Sequence, residues 1–160
     1  MFALQQQNHY SHSMKDYITT IYYLTKEKES ENQKKSVTET EIPIIRVKDI
    51  ASKLGVAPPS VVEYVQRLKE SGIVDVYPRK GVSLTQQGFN EAKILANRYK
   101  IVQCFFANVL KVDNNLATEQ AHIIEHLMDP DVIKKLYNHI DNEIGCPNPN
   151  CSLEEMCIPQ

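Results

Sequence analysis

The sequence predicts a mainly α-helical chain with one short β-hairpin set between two groups of helices. Three observations predict it. Helix-like patterning recurs through Ser13–Thr25, Ile44–Leu54, Pro59–Ser71, Gln86–Leu110, Leu116–Met128 and Pro130–Ile140. Residues Ile73–Leu84 instead alternate and are rich in β-branched side chains, around a Pro78–Gly81 turn. Gly55, Gly72, Pro58, Pro59 and Pro130 stand at the joints between these segments, where helices stop and start.

In order along the chain, Ser13 can cap a first helix whose Met14, Tyr17, Ile18, Ile21, Tyr22 and Leu24 recur at helical spacing. The stretch Lys26–Glu41, with KEKESENQKK inside it, has no apolar periodicity and is read as a flexible surface loop. The next helix places Ile45, Ile50, Ala51 and Leu54 toward a core and stops at Gly55. Another begins near Pro59, where a missing amide costs nothing, and ends near Ser71. Two short helices joined at a glycine make a helix-turn-helix, and the basic-tipped hairpin after it is a wing. Thr85 caps a long helix running to about Leu110, with Gly88 in its first turn. Asp113-Asn114-Asn115 breaks the chain, a helix follows to about Met128, and Asp129-Pro130 opens the last one, to about Ile140. Residues 145–160 carry three prolines and three cysteines and are expected to be irregular.

At 160 residues, 42% hydrophobic and 24% charged, the composition excludes a wholly disordered or collagen-like chain. No apolar run approaches the roughly 20 residues of a membrane-spanning helix. Met1–Ser13 lacks the basic start and apolar stretch of a secretory signal, so a cytoplasmic setting is expected. Charge is unevenly placed. Residues 46–100 carry 10 Lys and Arg against 5 Asp and Glu, whereas residues 101–160 carry 3 against 9. A basic middle suits a polyanion and an acidic end suits cations; ordinary fluctuation is the plain alternative.

The basic middle coincides with the helix-turn-helix and its wing. The second helix can enter a major groove with its first residues at base edges. Pro58 and Pro59 can touch a thymine methyl, and Ser60 a base or phosphate. Glu63 can accept from cytosine or face solvent, and Tyr64 and Arg67 on that helix are further candidate DNA contacts. Arg79 and Lys80 can reach phosphate or the minor groove, with Arg46, Lys48, Lys53 and Lys69 adding nonspecific attraction. The partner so implied is double-stranded DNA. A protein-interaction module is the alternative, since fold alone does not set function.

His122, Glu125 and His126 stand at i, i+3 and i+4, on one helical face. Two imidazoles and a carboxylate suit iron(II), manganese(II) or zinc, although such a triplet is often merely solvated. The same residues spell H-x-x-E-H, the inverted zinc-peptidase motif, with Glu125 as base. A peptidase also needs a third ligand and a substrate cleft, so no catalytic residue is assigned and a non-enzyme is expected.

Together SMKDYITTIYYL, VKDIASKLGVAPPSVVEYVQRLKESGIV, GVSLTQQGFNEAKILANRYKIVQCFF and EQAHIIEHLMD resemble the diphtheria-toxin-repressor family of iron- and manganese-dependent transcriptional regulators. The resemblance runs from about Ser13 to Ile140, in the two-domain form without the SH3-like domain. It implies a winged-helix DNA-binding domain (residues 1–84, with the insert 26–41) and a helical metal-binding and dimerisation domain (85–142), and leaves a cysteine-rich tail (143–160) outside it. It implies a homodimeric repressor and a metal site of Asp16, His122, Glu125 and His126, with His122 in place of a cysteine or glutamate. Tyr99, Gln103 and Thr19 depart from the family's second-metal pattern, which implies one ion per subunit. Ile101, Val102, Phe105, Phe106 and Leu110 can form the dimer face or ordinary core. Protonation of either histidine would compete with the ion.

Cys146, Cys151 and Cys157 stand outside that pattern. Thiolates suit an iron–sulfur cluster or zinc, and the spacing is similar to the cysteine loop of the Rrf2-type regulators. A regulator of the same fold controlled by a cluster is therefore the alternative, with three unligated thiols or an adventitious disulfide as the plain one. Cys104, within an apolar helix, is expected to be a buried small hydrophobe.

Overall fold

The computed structural model describes residues 12–34 and 43–144, with side chains for 14–32 and 43–143. The chain divides into two compact units between Ala92 and Lys93. The first holds α1 (His12–Lys34), α2 (Val47–Leu54), α3 (Pro58–Glu70), β1 (Val74–Tyr77), β2 (Gly81–Leu84) and the start of α4 (Gln86–Cys104). The second holds the rest of α4, a π-helical turn (Phe105–Val109), α5 (Asn114–Ile124) and α6 (Pro130–Ile144).

In the first unit, α2 and α3 form the expected helix-turn-helix. Gly55 ends α2 at φ +67°, a conformation that costs a residue with a β-carbon about 1–2 kcal/mol. Pro58 and Pro59 occupy the first turn of α3, and Val61, Val65 and Leu68, spaced at i, i+4 and i+7, are its buried stripe. Ile18 and Ile21 of α1 and Ile50 of α2 are also fully buried, and each such Ile or Leu contributes about 1.5–3 kcal/mol. Strands β1 and β2 pair antiparallel, Val74 opposite Leu84 and Tyr77 opposite Gly81. Thr85 accepts from the Gly88 amide at 3.0 Å and so caps α4, as its sequence position predicts.

Two expectations in this unit change. The polar stretch from Lys26 is not a loop up to Lys34; it continues α1. Lys, Glu and Gln favour helix without apolar periodicity, and local pairs reinforce them. Lys26 pairs with Glu29 at 2.9 Å, Glu27 with Lys53 of α2 at 3.1 Å, and Lys28 Nζ donates to Ile44 O at 2.7 Å. Residues 35–41, the rest of that insert, lie outside the described residues. Second, Ile44–Arg46 precede α2 in extended form. Ile45 exchanges two backbone hydrogen bonds with Val82, at 2.7 and 2.8 Å, adding a one-residue third rung to the hairpin. Gly81 is needed for that approach, since a β-carbon there would lie 2.2 Å from Ile45 O.

In the second unit, Ile101, Val102, Ala121, Ile133 and Ile140 form the core, with Cys104, Phe105, Phe106, Leu136 and Tyr137 packed around it. Ile101 and Val102 are thus core, whereas Leu110 is 52% exposed. Asp113 caps α5 by accepting from Asn115 N at 2.9 Å, and Asp129 accepts from Asp131 N at 2.8 Å at the start of α6. Helix α5 stops at Ile124 rather than Met128. No helix of the described residues is long and apolar enough to cross a membrane.

Candidate nucleic-acid interface and metal centre

The outer face of α3 presents Pro58, Pro59, Ser60, Val62, Glu63, Gln66 and Arg67 to solvent. Its start carries no side-chain cap and two prolines, so the exposed end is apolar. Arg67 Nη2 lies 2.6 Å from Glu63 Oε1, so Glu63 neutralises the cation one turn away; an exposed pair of this kind is weak. Tyr64 is placed differently from the outward contact expected. It is half-buried and stacks on Tyr17, with the Arg67 guanidinium 5.4 Å from its centroid.

The wing tip is exposed and basic. Lys80 N donates to Tyr77 O at 3.0 Å, closing a turn with Pro78 second and Arg79 third at φ +63°. That geometry is the type II turn, whose third position favours glycine. Arg79 holds it at a cost of about 1–2 kcal/mol, which places a guanidinium at the tip of the hairpin. Of the other basic residues, Arg46, Lys48 and Lys69 are exposed, while Lys53 is engaged by Glu27.

Metal-type donors occur in both units. Asp16 lies half-buried on α1 of the first unit. Thr19, one turn on, donates its hydroxyl to Lys15 O and Asp16 O at 3.0 and 3.1 Å. The second unit brings His122, Glu125 and His126 together at the end of α5. The two imidazole centroids are 5.8 Å apart at 70°. His122 is exposed, whereas Glu125 and His126 have side chains only 4% and 5% exposed. His126 Nδ1 lies 2.8 Å from Glu125 Oε1.

The other carboxylate oxygen, Glu125 Oε2, is buried and makes no hydrogen bond; the nearest cationic nitrogen, Arg98 Nε, stands at 3.9 Å. A buried oxygen left so costs about 1–3 kcal/mol, which a bound divalent cation offsets. Nitrogen and oxygen donors of this kind fit a first-row divalent ion. A peptidase reading instead requires Glu125 to act on water, and its carboxylate faces His126 and Arg98.

Arg98, on α4, was not singled out from the sequence. Its guanidinium donates to Glu125 O at 3.0 Å and Met128 O at 2.5 Å. Burial pushes its pKa down, and Glu125 and then Asp129 pull it back up. The acceptors lie 27 and 30 residues away, so no local pattern reveals them. Gln103 likewise donates to Thr118 at 2.8 Å, joining α4 to α5. Cys146, Cys151 and Cys157 lie outside the described residues.

Residues 9–82 match the family model "Iron dependent repressor, N-terminal DNA binding domain", and residues 85–152 match "Iron dependent repressor, metal binding and dimerisation domain". The chain is 33% identical over 125 residues to the HTH-type transcriptional regulator MntR of Shouchella clausii, covering 78% of this chain and 76% of that one. It is 27% identical over 126 residues to an uncharacterised HTH-type transcriptional regulator of Methanocaldococcus jannaschii, covering 79% of this chain and 90% of that one. Its fold is similar to that of the T. acidophilum IdeR crystal structure, with TM-score 0.64 and 18% identity, over 92% of this chain and 58% of that one.

Proposed function

Since the chain belongs to the iron-dependent repressor family of metal-dependent, DNA-binding transcriptional regulators, we propose that it is a homodimeric repressor whose affinity for a double-stranded operator rises when each subunit binds one iron(II) or manganese(II). The observation that carries the metal reading is the buried Glu125 carboxylate beside His126, with one oxygen lacking a hydrogen bond. Asp16, His122, Glu125 and His126 are the proposed ligands. When bound, the ion supplies a divalent charge to these donors, and it favours the DNA-competent form by as much as it binds that form more tightly.

One ion per subunit is supported by three residues. Thr19 spends its hydroxyl on the α1 backbone, Gln103 is tied to Thr118, and Tyr99 packs on the core of the second unit. None offers the carboxylate or imidazole that a second hard site needs. On the DNA side, the apolar start of α3 with Ser60 would meet base edges, and Arg79 and Lys80 the backbone.

The test is selection of a duplex from a random pool in the presence of manganese(II), followed by fluorescence anisotropy with and without the ion. Wild-type protein should bind the selected duplex at least tenfold more tightly with manganese(II), and His126→Ala should lose both ion uptake and that gain. Equal affinity with and without ion would refute the reading.

A further inference from the structure

We infer that Arg98 is a positioning residue for the candidate metal centre: from α4 its guanidinium holds the turn that carries Glu125 and His126. The inference rests on the metal reading of those two residues and adds the group that orients them.

The physical need is local. A helix end leaves its last carbonyls without amide partners, and it is the negative end of the helix dipole. Here α5 stops at Ile124, and the chain leaves it through Glu125–Met128. Leu127 N and Met128 N both turn back to Ile124 O, at 2.9 and 3.2 Å. The carbonyls of Glu125 and Met128 accept instead from one Arg98 nitrogen. One planar cation thus clamps both ends of the turn.

The clamp also reaches the Glu125 side chain. Arg98 Nε faces Glu125 Oε2 at 3.9 Å, too far for a hydrogen bond, while His126 Nδ1 lies 2.8 Å from Oε1. The guanidinium therefore stands beside the carboxylate without capping the oxygen a cation would use. Arginine is suited to this because its charge is permanent and its donors are fixed in a fork; lysine offers one point charge. Groups that orient metal ligands typically matter by about 10–100-fold in metal affinity.

Manganese(II) titrations of the full chain test this, by calorimetry and by the electron paramagnetic resonance of the bound ion. Far-UV circular dichroism and thermal melts of the metal-free proteins run alongside. Arg98→Lys should keep the helical signal, weaken manganese(II) binding about 10–100-fold and alter the spectrum of the bound ion. Arg98→Gln should weaken it at least as much. Binding by Arg98→Lys as tight as wild type, with the same spectrum, would make Arg98 only a helix cap and overturn the inference. So would collapse of the metal-free fold in Arg98→Lys, since Arg98 would then hold the unit rather than the site. No manganese(II) uptake by wild type, or uptake undiminished in His126→Ala, would instead bring down the metal reading and this inference with it.

Discussion

The rings of Tyr17 and Tyr64 stack with centroids 4.4 Å apart and planes 19° from parallel. Tyr17 follows Asp16 on α1, and Tyr64 lies midway along α3, whose outer face is the candidate DNA reader. A proposed metal ligand is thus one residue from a ring that braces the reading helix. Tyr64→Ala should cost about 1–3 kcal/mol, because it removes a half-buried aromatic pair. It should leave manganese(II) affinity nearly unchanged while shrinking the manganese-dependent gain in operator binding. Urea unfolding, calorimetry and anisotropy separate the three effects.

Burial raises the pKa of Tyr17 above 10.0, with Tyr64, Glu63 and Asp16 adding to the shift. The unfolded chain therefore loses this proton first as pH rises. The stability associated with the neutral phenol is complete below pH 10.0 and falls from there toward the raised folded value. Absorbance titration at alkaline pH should show one late-titrating tyrosine, absent in Tyr17→Phe. Urea midpoints of Tyr17→Phe should decline less steeply above pH 10.0 than those of wild type.

Arg79 sets function against stability. With φ at +63°, glycine is the better fit to its backbone. Arg79→Gly should leave the melting temperature unchanged or raise it, by up to about 1 kcal/mol of stability. It should also lower operator affinity and reduce the slope of log affinity against log salt by about 1. Lys80→Ala should reproduce the salt effect without the gain in stability. An unaltered salt slope in both variants would remove the wing from the DNA interface.

Gly88 sits in the first turn of α4, where a β-carbon would stand 2.0 Å from Ile73 O. Backbone cannot yield as a side-chain tip does. Gly88→Ala should therefore destabilise by about 1–3 kcal/mol, although alanine favours helix by about 1 kcal/mol over glycine. A lower urea midpoint with an unchanged denaturant slope is the expected reading. A stabilised variant would show that the hairpin end and α4 are not in this close register.

The extension of α1 is tested by Ser30→Pro. In a loop it would be nearly neutral. In a helix it removes one backbone hydrogen bond and strains the turn before it, costing up to about 3 kcal/mol. Near the helix end, fraying softens this, so the expected result is a loss of helical signal with a smaller fall in the melting temperature.

How much was legible in advance follows from the range of each signal. Val61, Val65 and Leu68 repeat at a helical period, Gly55 stops α2, and Thr85 and Asp113 cap the helices they precede; these signals act within a few residues. Lys26–Lys34 misled because a charged helix stabilised by propensity and ion pairs has no apolar stripe to read. Ile45 fits a helical pattern as well as an extended one, and only its pairing with Val82, 37 positions away, decides between them.

The sequence by itself determined the succession of elements, the basic middle, and the His122, Glu125 and His126 spacing. All of these are set by local backbone preference and by the order of charges. Tertiary structure decided what those residues face. It turned Tyr64 inward onto Tyr17, put Ile101 and Val102 into a core rather than on a surface, and tied Gln103 to Thr118. It also ended α5 early, and gave the carbonyls of Glu125 and Met128 in the turn after it to Arg98. Each outcome depends on satisfying a buried polar group or filling a volume with a partner from a distant segment. Such a requirement exists only once the chain has folded back on itself.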